Sequence, residues 1–170
     1  PEYADMARRL RNHGKDSGSD FHFSYVRFNG KMTSIQAALG IEALLHVDDD
    51  IEQRRKNFLY LGGVEPAGVR ISPHAFPVIC ESKEDRGNLL KVLNDNGIEC
   101  RNLFSSLPTQ EKAYEFLGHK LGEFPQAEHI GDCGLYVPCH QYLTQVELDH
   151  IKEIVNGNVQ KETAREVLAV

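Results

Sequence analysis

The polar residues able to do chemistry in this chain gather beside glycines and at the ends of strand-like runs: His13, Asn29, Lys31, Arg101, His140 and Tyr142. No spaced catalytic signature joins them. The eight histidines are scattered, with no H-x-x-x-H to set two ligands on one helix face and no Cys-His ladder, so no metal is expected. G-x-S-x-G is absent, and a lone cysteine beside a histidine, as in Cys139-His140, is read as packing plus a hydrogen bond. G-x-G-x-x-G is also absent, which removes the usual dinucleotide cradle.

The run Arg27-Phe28-Asn29-Gly30-Lys31-Met32 is more suggestive. An asparagine or a backbone amide next to glycine, just ahead of a helix N-terminus, can donate to a phosphate, and the lysine adds charge there. The plainer alternative is a turn in which Asn29-Gly30 supplies a left-handed residue. On the residues alone the turn is favoured.

These side chains need elements to hold them. A first helix is expected from Glu2 to Arg11, with Tyr3, Met6, Ala7 and Leu10 on one stripe and Asn12-His13-Gly14 as its stop. KDSGSD reads as a loop and FHFSYVRF as a strand or extended arm. Thr33 and Gln36 form a capping box that opens a helix running to about Leu61, in which Ala37, Ala38, Gly40 and Ala43 leave room for another backbone. On it, Asp50 and Arg54, and Glu52 and Lys56, are acid-before-base pairs at four-residue spacing.

Gly62-Gly63 and Pro66 end that pattern and mark a domain boundary near Gly62. VRIS and FPVICES follow as strand candidates. Ser82 caps a helix that stops at Asn96-Gly97, and Ile98 to Leu103 is the next strand. Helical patterns around EKAYEFLG and from Phe124 to Gly131 lead to the strand GLYVP. A second capping box, Thr144 with Glu147, opens a helix ending at Asn156-Gly157, with Leu143 placed to staple against Leu148. Residues 158–170 are one more helix or a tail. Strands interleaved with helices predict a two-layer α/β sandwich over residues 64–157.

Bulk properties narrow the classes of function. Of 170 residues, 41% are hydrophobic and 26% charged, ordinary for a globular chain, and the formal charge of -6 without a basic cluster argues against nucleic acid. The four cysteines lack C-x-x-C spacing and no signal-like segment stands near Pro1, so a reduced cytoplasm is expected. No apolar run reaches the roughly 18 residues that span a bilayer.

The order of motifs carries further than any one of them. Arg8-Arg9-Leu10-Arg11-Asn12-His13-Gly14, Asn29-Gly30-Lys31-Met32, Gln36-Ala37-Ala38-Leu39-Gly40 and Arg54-Arg55 with Tyr60 come first. Gly97-Ile98-Glu99-Cys100-Arg101, Phe124-Pro125-Gln126-Ala127-Glu128 and Leu135 to Thr144 follow. In this order they resemble the DegT/DnrJ/StrS aminotransferases, C-terminal portion. The resemblance implies part of a fold-type-I pyridoxal phosphate enzyme: a remnant of the large cofactor domain with an interface arm and long linking helix over residues 1–61. A small α/β domain with a short, largely antiparallel sheet would cover residues 62–157, and a helix or tail 158–170.

Such enzymes move an amino group, commonly from glutamate, onto a nucleotide-linked keto-sugar, and they are homodimers with active sites built across the interface. By resemblance Asn29 binds the cofactor phosphate in the neighbouring subunit, which reverses the preference for a plain turn, and Lys31, Arg101 and His140 lie on the substrate side. The family's Schiff-base lysine and its S-x-x-x-K context have no match among the nine lysines. The chain alone is therefore expected to be inactive and to hold pyridoxal phosphate weakly. Two alternatives stand beside this: a non-catalytic dimerisation module derived from the family, or part of a pyridoxal-phosphate-dependent sugar dehydratase.

Overall fold

The computed structural model describes residues 1–15, 22–26, 28–104, 107 and 110–159. Arg27, most of the KDSGSD loop and the tail from residue 160 lie outside the described residues. The chain falls into two compact units, divided after Val47.

In the first unit, helix α1 (Glu2–Arg11) carries an Asp5 to Arg9 ion pair of 2.7 Å on one face. Its stop is built as the Asn-His-Gly run predicts. His13 and Gly14 take positive φ values of 60° and 78°, and the Gly14 N–H returns to the Arg9 carbonyl at 2.9 Å. Gly14 is required there for a second reason: a Cβ would fall 2.0 Å from the Tyr25 carbonyl oxygen. The aromatic arm forms no named strand among the described residues. It doubles back on the helix stop through single bridges, Asn12 with Asn29 and Lys15 with Phe23.

Helix α2 (Ser34–Tyr60) starts in this unit behind the expected capping box, with Thr33 N–H on Gln36 Oε1 at 2.9 Å and Gln36 N–H on Thr33 Oγ1 at 3.2 Å. Every large apolar residue on its opening turns is exposed, Ile35, Leu39, Ile41, Leu44 and Leu45 among them.

The second unit holds the core. Strands β1 (Phe76–Ile79), β2 (Arg101–Asn102) and β3 (Gly134–Val137) form one sheet in the order β1-β3-β2, with both outer strands antiparallel to β3. β1 and β2 therefore run parallel to each other, joined by helix α3 (Lys83–Asp95), with β3 inserted between them: a split β-α-β. Helix α4 (Pro125–Cys133) runs straight into β3, and helix α5 (Gln145–Asn158) follows it behind a complete Thr144–Glu147 capping box. The α4–β3 junction has no loop. Gly134 makes that possible, because a Cβ there would sit 2.4 Å from the Ile130 carbonyl oxygen.

Period-two alternation sorts the sheet's faces. Phe76 and Val78 on β1, and Leu135 and Val137 on β3, join Leu89 and Leu93 of α3, Leu148, Ile151 and Val155 of α5, and Phe58 and Leu61 in one apolar cluster. Phe58 and Phe76 meet edge to face at 5.6 Å.

Three expectations need correction. VRIS is not a strand: the N–H of Ile71 is taken by the Glu65 carboxylate at 3.1 Å rather than by a neighbouring strand. The strand after α3 shrinks to Arg101–Asn102, because β3 offers it partners only at Leu135 and Tyr136. The predicted i,i+4 pairs on α2 give way to other partners. Arg54 reaches Gln141, while Arg55 takes Glu52 and forks onto Glu65 with Nε at 2.8 and 2.7 Å from its two oxygens.

That fork, with the Ile71 N–H, holds the Glu65 carboxyl below its ordinary value of 4.5. A group whose folded value is depressed adds stability above its unfolded value and loses it as the pH falls through the folded one. Glu65→Gln is expected to lower the urea midpoint at about pH 7, with the gap to the parent chain closing as the pH drops below 4.5. A gap of unchanged size at about pH 3 contradicts a stabilising role for the Arg55–Glu65 fork. In the core, Leu135→Ala should cost about 2–5 kcal/mol by urea unfolding, against under about 0.5 kcal/mol for the exposed Leu121→Ala.

Candidate functional site

The alternation that buries Leu135, Val137 and Cys139 turns Tyr136, Pro138 and His140 the other way, and the pattern continues past the end of β3. Arg101 is the direct partner of Tyr136 across the β2–β3 ladder, so the two stand on the same face. With Arg54, His74 and Glu99 they line a cleft of about 280 Å³ on the side of the sheet away from the core. Two of the residues expected on the substrate side, Arg101 and His140, are thus brought together. Arg101 comes from β2, and His140 from the segment just past the end of β3.

The cleft carries positive charge held by acceptors. Arg101 pairs with Glu99 at 2.9 Å, and that hydrogen bond raises the guanidinium above its ordinary value, so it stays charged at any physiological pH. Arg54 Nε donates to Gln141 Oε1 at 2.7 Å, and its Nη1 lies at 3.4 Å from the His74 carbonyl. His140 Nδ1 accepts the Tyr142 N–H at 3.3 Å, which in the neutral ring leaves the proton on Nε2. The His74 and Tyr136 rings meet edge to face at 6.0 Å. Such a surface suits an anionic, partly planar ligand. Arg54 and His74 were not singled out by sequence for this role; the even-numbered run 136, 138, 140 was a usable signal, obscured by Pro138 and the early strand end.

Asn29 and Lys31 belong to the first unit and are exposed. Asn29 Oδ1 accepts the Lys31 N–H at 3.2 Å, so the side-chain NH₂ is the end left for a ligand, and a donor is what a phosphate requires. Gly30 N–H is tied to the Arg11 carbonyl at 2.9 Å. His13 serves the helix stop, and Tyr142 is 78% exposed with its ring 6.2 Å from that of His140. Among the described residues no group of three His, Cys, Asp or Glu side chains is placed to hold a metal, and no helix is long and apolar enough to cross a membrane.

Cys139 is fully buried, and burial pushes its thiol up to about 11, so beside His140 it is a packed hydrophobe rather than a nucleophile. Cys80 is likewise buried and pushed up to about 11. Cys100 is the one thiol of the four with partial exposure. In a disulfide-exchange assay on the folded chain Cys100 should react first, with Cys80, Cys133 and Cys139 following only on unfolding; early labelling of Cys139 contradicts this assignment.

Comparison with known proteins adds lineage to this geometry. Residues 1–156 match the family model described as the DegT/DnrJ/EryC1/StrS aminotransferase family. GDP-perosamine synthase of Caulobacter vibrioides is 28% identical over 164 residues, a stretch covering 88% of this chain and 43% of that protein. Among solved structures, a DegT DnrJ EryC1 StrS aminotransferase from Brucella abortus superposes with a TM-score of 0.83 at 24% identity, covering 94% of this chain and 44% of that one. A Streptococcus pneumoniae chain solved in its PMP form gives 0.79 at 22%, covering 92% and 43%. The chain spans less than half the length of the relatives it matches. With a family model that covers nearly all of its described residues and a fold shared with these enzymes, the chain belongs to the DegT/DnrJ/EryC1/StrS aminotransferase family.

Proposed function

We propose that this chain is the C-terminal portion of a cytoplasmic, pyridoxal-phosphate-dependent aminotransferase acting on a nucleotide-linked keto-sugar. In this reading residues 1–61 are the cofactor-domain remnant, arm and linking helix, residues 62–157 form the small domain, and 158–170 are its tail. The observation that supports it most is the convergence of Arg101 and His140, far apart in sequence, on one cationic cleft with Arg54. A nucleotide diphosphate is the part of such a substrate that two guanidiniums recognise.

The residues fit the cofactor as well. Pyridoxal phosphate, when bound, supplies the electron sink that lets an amino group change carriers. Asn29 donates through its NH₂ to the phosphate of a cofactor in the neighbouring subunit, and Lys31 adds positive charge beside the sugar nucleotide. Arg101 and Arg54 hold the diphosphate, and His140 Nε2–H orients a sugar or phosphate oxygen. None of these residues forms a covalent bond to the cofactor.

A second reading, a non-catalytic dimerisation module, draws on the exposed Ile35, Leu39, Leu44 and Leu45 of α2 and on Phe28, which is 90% exposed. In this reading those apolar side chains are covered by a second copy of the chain. Sedimentation showing a monomer at high concentration counts against it.

The leading proposal is tested by calorimetric titration with GDP. Arg101→Ala and His140→Ala are each expected to weaken binding about tenfold or more, as loss of a charge-assisted or well-aligned hydrogen bond does. Equal affinity in both variants and the parent chain overturns the assignment of the cleft. After mixing with pyridoxal phosphate and borohydride reduction, mass spectrometry should find no uniquely modified lysine.

A further inference from the structure

Among the described residues Asn57 is the one buried polar side chain, 1% exposed in an otherwise apolar core. An amide in that position is costly unless its hydrogen bonds are made, and here they are. Gln53 Nε2 donates to Asn57 Oδ1 at 2.8 Å, which orients the amide, and Asn57 Nδ2 donates to the carbonyls of His140 at 2.8 Å and Cys139 at 3.4 Å. One residue along, Arg54 holds Gln141 at 2.7 Å. Two side chains on one stretch of α2, Arg54 and Asn57, thus grip residues 139–141, the segment that has left the β3 ladder and no longer has a strand partner to fix it.

An aliphatic residue at position 57 would fill the same space. What the amide adds is a fixed address for the His140 backbone, and with it the position of a ring that lines the cleft. We infer that Asn57, oriented by Gln53, is a positioning residue for His140 and so for ligand binding in the cleft. The ligand half of this statement rests on the proposed function; the His140 half does not.

The test compares Asn57→Ala and the isosteric Asn57→Asp, which loses both donated hydrogen bonds, with Val155→Ala, a core deletion on α5. Nitrogen-15 spectra of the His140 imidazole report its tautomer, calorimetry with inorganic pyrophosphate reports the cleft, and thermal melts report stability. Both position-57 variants should move His140 away from a single Nε2–H tautomer and weaken pyrophosphate about tenfold. Val155→Ala should leave both readings within about twofold at a comparable loss of melting temperature.

An unchanged His140 spectrum in Asn57→Ala overturns the inference. So does a Val155→Ala variant that reproduces the same changes, since the role would then be structural only. If the parent chain binds no pyrophosphate, the proposed function fails at this cleft while the tautomer comparison still decides the role of Asn57. If the position-57 variants do not fold, Gln53→Ala, which removes only the group orienting the amide, is read by the same spectrum: a shifted tautomer supports the inference and an unshifted one overturns it.

Discussion

The second unit depends on β3. It is four residues long, pairs with both of its neighbours, and presents alternate side chains to a dry face and a wet one. Leu135 and Val137 anchor the helices of the core, while Tyr136 and, beyond the strand end, His140 stand over the cleft. A shift of one residue in this register would exchange the two sets, burying a tyrosine and a histidine and exposing the core. The tight α4–β3 junction at Gly134 guards against that slip, because α4 delivers the chain to the ladder with no slack.

Much of this is legible in the residues, and the reasons differ by element. Both capping boxes and the Asn-His-Gly stop are local: the partners sit within a turn of each other, so side-chain chemistry decides them before tertiary structure forms. The apolar stripe of α5 is equally readable. VRIS misleads for the opposite reason. Its composition suits a strand, but a ladder needs a partner, and the Ile71 N–H is instead satisfied by a side chain six residues back.

The site is legible only in halves. Arg101 and His140 stand out because their types and neighbours resemble a family pattern, whereas Arg54 looks like one member of a solvated charge pair until its partner Gln141 is seen. Asn57 is less visible still. On a helical wheel an asparagine beside Gln53 and Arg54 is an ordinary polar position, and its meaning lies in two carbonyls more than eighty residues away in the chain. Contacts of that range are set by topology, which local pattern does not encode.

The outer edge of the sheet has a consequence for how this chain meets others. β1 pairs through Phe76 and Val78, and Cys80 continues the series by donating to Cys133, so the N–H positions that point outward fall on Pro77 and Ile79. Proline has none to offer. A strand approaching from solution would find a single donor on that edge, too few to template another ladder. Along the β1 edge, copies of the chain are thereby steered away from strand pairing and toward meeting through their side chains.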